Sequence, residues 1–295
     1  MIDAIGFIGL GVMGEPMCRN LVTRSGKRVL AFDVRSEPLT RLQSHGVEVA
    51  KDMTQAIRDA SVVFASLPSG KELSELACGE GGLLASLRAG QIFVDLGTSP
   101  VGLTRELAAE VERKGAAYLD APVARTRQAA EAGTLAVMVG GAAEVLETVR
   151  PLLECFASEI THCGGIGSGQ VTKILNNMVL FQTVNALSEA YAISRHIGVD
   201  PTVLFDALSK GSADSFALRN HGMKAILPQQ FPLRAFSVDY AQKDLSYALD
   251  MAQAGGIDAG GAQNVARLFE QANASGLGDQ YFPTISQVID RARKR

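Results

Sequence analysis

The chain is poor in the residues that build metal sites and disulfide frameworks. Its four cysteines, Cys18, Cys78, Cys155 and Cys163, form no Cys-x-x-Cys pair, and its four histidines are scattered. Neither a zinc site nor a cross-linked scaffold is therefore expected, and a reducing compartment fits. An excess of charge of one sign is missing too. The 28 Lys and Arg against 31 Asp and Glu leave a formal charge of −3, with the basic residues dispersed apart from the tail Arg291, Arg293, Lys294 and Arg295. This excludes the electrostatic footprint of a nucleic-acid partner, and the tail reads as a solvated helix end. The apolar N-terminal stretch "AIGFIGLGVMG" has no basic flank and is broken by glycines, unlike a secretory signal or a membrane span. The reading is cytosolic, with no membrane partner. Repeats, low-complexity tracts and flexible linkers are likewise absent.

What is present is an ordinary globular composition, 47% hydrophobic and 20% charged, over 295 residues, enough for two domains with separate cores. The first half alternates short apolar runs with helical patterns. Strands are expected at Ile5–Ile8, Val29–Phe32, Val62–Ser66, Ile92–Asp95, Ala117–Leu119 and Ala136–Val139, and helical spacing at Glu15–Thr23 and Thr104–Lys114. Such alternation predicts an α/β fold, a doubly wound, mostly parallel sheet covered by helices on both faces. After about residue 165 the strand signals stop. "QVTKILNNMVLFQTVNALSEAYAISRHIG" reads as one long helix, apolar around much of its girth and so expected to be buried between other elements. Helical patterns follow at Pro201–Leu208, Asp244–Gln253, Val265–Gln271 and Thr284–Ala292. The expected division is a Rossmann-type domain over residues 1–164 and an all-helical one over 165–295, joined through the long helix.

"GFIGLGVMGEPM" places Gly9, Gly11 and Gly14 in G-x-G-x-x-G spacing between a predicted strand and a predicted helix. The spacing alone is weak, but these flanks are what dinucleotide binding needs. Glycines allow a tight turn and close backbone approach, and the helix N-terminus offers N–H groups to a pyrophosphate. The loop Gly9, Leu10, Gly11, Val12, Met13 and Gly14 is thus a candidate cofactor site. Asp33 ends the second strand, where a carboxylate accepts from ribose hydroxyls and repels a 2′-phosphate, favouring NAD over NADP. Arg35, two residues on, could instead welcome that phosphate. Two further strand ends, with Leu67 and Pro68 in "ASLPSG" and Thr98 and Ser99 in "VDLGTS", would open at the same carboxyl edge; each is equally compatible with ordinary turn chemistry.

Lys173 and Asn177 lie four residues apart, so they share one face of an otherwise apolar helix. A lysine on a buried helix must snorkel, pair or act. As a base near neutral pH it would need burial and nearby positive charge to lower its pKa from about 10.4.

With "GFIGLGVMGEPM", "DAPV" followed by "GTLAVMVGG", "GSGQVTKILNN" and "DYAQKDLSYAL" in order, the sequence resembles the β-hydroxyacid dehydrogenases, which include 3-hydroxyisobutyrate dehydrogenase and tartronate semialdehyde reductase. The resemblance runs nearly end to end. It implies hydride transfer between nicotinamide and a small anionic hydroxy compound or aldehyde, a dinucleotide-binding domain over residues 1–164, a substrate and oligomerisation domain over 165–295 that begins with the long helix, a site in the cleft between the two domains, and a homodimer or homotetramer. It also implies that Lys173 is the catalytic acid–base group and that Asn177, with Asn176 beside it, orients lysine or substrate. Lys243 would face cofactor and substrate, supported by Asp244. Imine reductases of similar architecture usually replace the lysine, and a non-catalytic dinucleotide module would not need Lys173, Asn177 and Lys243 together. Sugar-acid decarboxylation, as in 6-phosphogluconate dehydrogenase, is a more distant alternative.

One departure stands out. Most of the family follows "DAPV" with Ser-Gly-Gly, a loop that holds the substrate carboxylate, whereas this chain has Ala124, Arg125 and Thr126. A guanidinium beside a hydroxyl suits a sulfonate or phosphate, and the loop resembles that of the branch that reduces 3-sulfolactaldehyde. The expectation is that Arg125 holds the anion while Arg127 faces solvent; otherwise Arg125 packs at the rim and the substrate is a carboxylate.

Overall fold

The computed structural model describes residues 2–233 and 235–291. Arg293, Lys294 and Arg295 of the basic tail lie outside the described residues, as does the end of the helix expected to reach Ala292. The chain forms two compact units that divide between Lys173 and Ile174.

The first unit is built on one sheet. Its strands are β1 (Ala4–Ile8), β2 (Arg28–Phe32), β3 (Glu48–Val49), β4 (Val62–Ala65), β5 (Ile92–Asp95), β6 (Ala117–Asp120), β7 (Val123–Ala124), β8 (Leu135–Gly140) and β9 (Ala157–Gly164). The order is β3-β2-β1-β4-β5-β6-β8-β7, with β9 paired to β8. From β3 to β6 every pairing is parallel, the 3-2-1-4-5-6 arrangement of doubly wound dinucleotide-binding sheets. β8 runs antiparallel to β6 and β7.

Strand side chains supply both faces. Ile5 and Phe7 of β1 join Val62 and Phe64 of β4 in one core, while Ala4, Ile8, Val63 and Ala65 enter the other. This is the two-residue alternation of a pleated strand covered on both sides, and it explains why the runs read as continuously apolar. β3, β7 and β9 were not foreseen. The first two span only two residues each, and β9 carries exposed Glu159, Thr161 and His162 and pairs with β8, so it gives no apolar run.

The second unit is built of helices, with two isolated antiparallel bridges, Leu233 to Gln280 and Ser237 to Tyr281, among its described residues. The long helix Ser168–Ile197 enters it and is followed by Pro201–Leu208, a π-helix at Leu218–Ile226, Val238–Ala254, Gly260–Ala274, a short 3-10 turn at Phe282–Thr284, and Ile285–Arg291. The Val238–Ala254 helix starts six residues before the expected Asp244 because the Ser237 hydroxyl caps it, accepting from Tyr240 N–H at 3.3 Å. The core centres on Phe181 of the long helix, whose ring lies 5.7, 5.5 and 5.1 Å from those of Phe236, Phe269 and Phe282.

The long helix corrects one expectation. Ile174, Phe181, Val184, Leu187 and Tyr191 are buried, but Leu175, Val179, Ile193 and Ile197 on another face are exposed. Apolar girth shows that a helix has more than one face to cover, not that its own chain covers them all. Among the described residues no helix is long and apolar enough to cross a membrane.

Candidate active site

β1 ends at Ile8 and the helix Gly14–Ser25 begins after a five-residue turn. Gly9 has φ +88°, and a Cβ there would lie 2.4 Å from the Ser66 carbonyl oxygen. At Gly14 a Cβ would lie 2.1 Å from the Gly9 carbonyl oxygen, whereas at Gly11 it would meet nothing within 4 Å. Two glycines thus close the turn and the third leaves open space above it. Met13 places no side-chain cap on the helix start, and Val12 is exposed at 44%. A backbone turn with an uncapped helix N-terminus and an open face fits a dinucleotide pyrophosphate.

Asp33 sits just past β2 and is tied to this turn. Its Oδ2 accepts from Leu10 N–H at 2.6 Å, and its Oδ1 accepts from Arg35 N–H at 2.8 Å and Arg35 Nε at 3.1 Å. Burial pushes this carboxyl up, but the Arg35 guanidinium and the two backbone N–H groups outweigh it and hold it below the usual value. Arg35 also donates to the Leu10 carbonyl at 3.1 Å. Sequence reading placed Asp33 near a ribose; the structure adds that Asp33 and Arg35 together brace the glycine turn.

Leu67 and Pro68 follow β4 and Thr98 follows β5, at the carboxyl edge shared by the parallel strands. At that edge lies a buried polar network that sequence reading missed. Asp120, at the end of β6, accepts from Gly167 N–H at 2.7 Å and Gln170 N–H at 2.8 Å, so its carboxylate receives the N-terminus of the long helix. Burial raises its pKa despite these N–H groups. Gln170 in turn accepts from Ser99 N–H at 3.0 Å and donates to the Gly97 carbonyl at 2.9 Å. Gly169 permits this seat, since a Cβ there would lie 2.4 Å from the Met138 carbonyl oxygen. The available signal was a glycine in a helix's first turn, where local propensity disfavours it. The start of the helix is therefore fixed to the sheet three residues before Lys173.

Lys173 is buried, with 8% of its surface exposed, and Asn177, one turn on, has 1%. Asn177 Nδ2 donates to Asp244 Oδ2 at 2.7 Å, and its Oδ1 accepts from the exposed Asn176 at 3.2 Å. Lys243 Nζ lies 3.0 Å from Asp244 Oδ1 and 5.4 Å from the centres of both the Tyr240 and Tyr247 rings. Asp244 thus joins Asn177 on the long helix to Lys243 on its own helix. Two amide-and-ammonium positions come together here around one carboxylate.

The loop after β6 departs from what its sequence suggested. Ala124 is a buried residue of β7. Arg125 has φ +85°, so the backbone keeps a left-handed turn although no glycine occupies it. Its Nη1 donates to the Thr134 carbonyl at 2.6 Å and to Ser158 Oγ at 3.0 Å. Thr126 is the N-cap of the helix Arg127–Ala132, accepting from Ala129 N–H at 3.4 Å. Arg127 is exposed and pairs with Glu131 at 2.9 Å. The guanidinium expected to hold an anion is thus bonded to its own sheet in this structure, and the neighbouring hydroxyl starts a helix.

A doubly wound sheet, a glycine turn braced by an acidic residue, and a buried lysine and asparagine on one helix face define the class, the NAD(P)-dependent oxidoreductases. Residues 4–165 match the family model for the NAD binding domain of 6-phosphogluconate dehydrogenase, and residues 167–289 match that for the NAD-binding of NADP-dependent 3-hydroxyisobutyrate dehydrogenase. The chain is 32% identical to 2-(hydroxymethyl)glutarate dehydrogenase of Eubacterium barkeri, covering 97% of this chain and 95% of that one. It is 35% identical to 2-hydroxy-3-oxopropionate reductase of Escherichia coli, covering 97% of each. The solved structure of Mycobacterium tuberculosis 3-hydroxyisobutyrate dehydrogenase with L-serine superposes with a TM-score of 0.89 at 33% identity, over 99% of this chain and 100% of that one. The chain belongs to the β-hydroxyacid dehydrogenase family and is an oxidoreductase acting on CH–OH groups.

Proposed function

We propose that the protein transfers a hydride between NAD(H) and a short β-hydroxy carboxylate or its aldehyde, with Lys173 as the acid–base residue. The observation that carries this reading is the buried pair Lys173 and Asn177, one turn apart, with Asn177 held by Asp244. NAD, when bound, supplies the hydride acceptor and NADH the hydride. The turn from Gly9 to Gly14, with Leu10, Val12 and Met13, would hold the pyrophosphate. Asp33 would accept from the ribose, and Leu67, Pro68 and Thr98 would line the nucleotide at the strand ends. In the oxidising direction the neutral Lys173 amine takes the hydroxyl proton as the hydride leaves the same carbinol carbon. In the reducing direction the Lys173 ammonium returns that proton to the developing alkoxide. Asn177 and Asn176 orient the hydroxyl, and Lys243 attracts the anionic group. The hydrogen bonds that hold Arg35 on Asp33 and Leu10 support NAD over NADP, a preference read directly by comparing KM for NADH and NADPH.

The bonds from Arg125 to Thr134 and Ser158 support a carboxylate substrate, as do the names of the three relatives above, each of which denotes a carboxylate. A second reading, reduction of 3-sulfolactaldehyde, draws on Arg125 and Thr126 standing where the family has two glycines; it requires the guanidinium to leave those two bonds. The resemblance also supports a homo-oligomer. Lys173→Ala is expected to lower turnover roughly 1,000-fold, within the usual range for a lost acid–base residue, while NADH binding persists. Near-normal turnover overturns the assignment. Turnover measured with tartronate semialdehyde, 3-hydroxyisobutyrate and sulfolactaldehyde settles the substrate class, and a clear preference for the sulfonate overturns the carboxylate reading.

A further inference from the structure

Gln170 is gripped by the ends of two strands. It is fully buried in the first turn of the long helix, three residues before Lys173. Its backbone N–H donates to Asp120 Oδ2 at the end of β6, at 2.8 Å. Its side-chain amide reaches past the end of β5, where Oε1 accepts from Ser99 N–H at 3.0 Å and Nε2 donates to the Gly97 carbonyl at 2.9 Å. Nε2 also lies 3.3 Å from Asp95 Oδ2.

The two backbone groups that this amide bonds belong to the residues on either side of Thr98. Asp95 ties down the same stretch, accepting from Gly97 N–H at 2.9 Å and from Ser99 Oγ at 3.3 Å. Gly97 is pressed against the neighbouring strand end as well, since a Cβ there would lie 3.0 Å from the Leu67 carbonyl oxygen. Gly97 and Ser99 are buried and Thr98 between them is only half-buried, so Thr98 is the part of the clamped segment that a bound group can reach.

A methionine would fill much the same volume with no polar group to bury. Glutamine instead satisfies one backbone donor and one acceptor that water does not reach, where a lost partner is costly. Hydrogen bonds also hold distance more tightly than apolar packing, which tolerates sliding. Gln170 and Lys173 are separated by about 4.5 Å along the helix axis, so any shift of the first turn against β5 carries the lysine with it.

We propose that Gln170 is a positioning residue for hydride transfer: by clamping the peptide groups that flank Thr98, it sets the spacing between the nucleotide this strand end would line and the Lys173 amine. The inference rests on the reading of Lys173 as the acid–base residue and of Thr98 as part of the nucleotide site. Hydride and proton are exchanged at adjacent atoms of one substrate, the carbinol carbon and its oxygen, so the two sources must be held in register. A misplacement of about 1 Å can cost on the order of 100-fold in rate.

The test compares Gln170→Met, which keeps the volume and loses both bonds to the strand end, with Gln170→Asn, which keeps the amide but draws it back by one methylene. In the ligand-free protein, hydrogen–deuterium exchange over residues 96–100 is expected to rise roughly tenfold, because the Ser99 N–H loses its acceptor. Kd for NADH by fluorescence titration is expected to stay within about threefold of wild type, since the glycine turn and Asp33 are untouched. At saturating NADH and aldehyde, kcat is expected to fall roughly 10- to 100-fold. A glutamine with a purely structural role would raise exchange and lower the unfolding midpoint while kcat stayed within about threefold, and that result overturns the proposal. Unchanged exchange overturns it too, as does a Kd raised about tenfold or more, which would make Gln170 part of the nucleotide site itself. Either variant decides the matter if the other does not fold. Lys173→Ala separates the two readings: near-normal turnover there removes the catalytic assignment and this inference with it, whereas lost turnover there beside unchanged kcat in the Gln170 variants removes this inference alone.

Discussion

Two turns of the first unit hold nearly the same backbone angle with very different residues. Gly9 has φ +88° and Arg125 has φ +85°. At Gly9 the space beside the backbone is filled, since the Ser66 carbonyl would be 2.4 Å from any Cβ. At Arg125 the Cβ is accommodated, and the side chain reaches across to bond the Thr134 carbonyl, just before β8, and Ser158 Oγ of β9. A left-handed angle is therefore not by itself a demand for glycine. The demand is absolute where another backbone crowds the turn, and it is negotiable where a side chain can offset strain of about 1–2 kcal/mol with bonds of its own.

The contrast is broken most forcefully at Gly9. Gly9→Ala combines left-handed strain with a contact that only a backbone shift relieves. The turn it displaces carries the Leu10 N–H that Asp33 anchors at 2.6 Å. A loss of about 3 kcal/mol in dinucleotide binding is expected, roughly 100-fold in Kd for NADH by fluorescence titration. An affinity within threefold of wild type would show that the turn can relax and that crowding is not what requires the glycine.

A smaller effect is expected at Thr126, which separates structural from substrate roles in the second turn. Its hydroxyl accepts a long 3.4 Å bond as a helix cap. Thr126→Ala should cost about 0.5–1 kcal/mol in urea unfolding, the low end for a lost N-cap, with KM for a carboxylate substrate unchanged. A KM raised tenfold with little loss of stability would return Thr126 to the substrate.

The two turns also differ in how far they could be read from the chain. The Gly9 turn was legible because its requirements are local: three glycines, a strand before, a helix after, and Asp33 at the end of the next strand. That Lys173 and Asn177 share one face of a helix was legible for the same reason, the two being one helical turn apart. The seat of the long helix was not. Asp120 and Gln170 are brought together across 50 residues, and nothing near either marks the other as its partner. The conformation of Arg125 was hidden similarly, because Ser158 lies 33 residues away on β9, a strand whose exposed polar residues erase its apolar signal. The long helix marks a further limit: periodicity revealed that it was apolar on several faces but not which face its own chain would leave open.

The smallest expected effect is the most discriminating. Arg125→Gly removes left-handed strain, a gain of about 1 kcal/mol, and forfeits two bonds at an exposed site, a loss of about 0.5 kcal/mol each. Glycine also frees the unfolded chain, at a further cost of about 0.5–1 kcal/mol. These nearly cancel, so urea unfolding should show a net loss below about 1 kcal/mol. Activity then carries the information. If the guanidinium serves only as a tether to Thr134 and Ser158, KM for a carboxylate aldehyde changes less than threefold, since the variant restores the residue most of the family has at this point. If the guanidinium leaves that tether to hold a sulfonate, the same substitution removes a charge-assisted contact worth about 1.5–3 kcal/mol, and turnover of sulfolactaldehyde at low concentration falls at least tenfold while the carboxylate is spared. An arginine in a glycine's conformation is thus a structural brace or a selective ligand according to which substrate notices its loss.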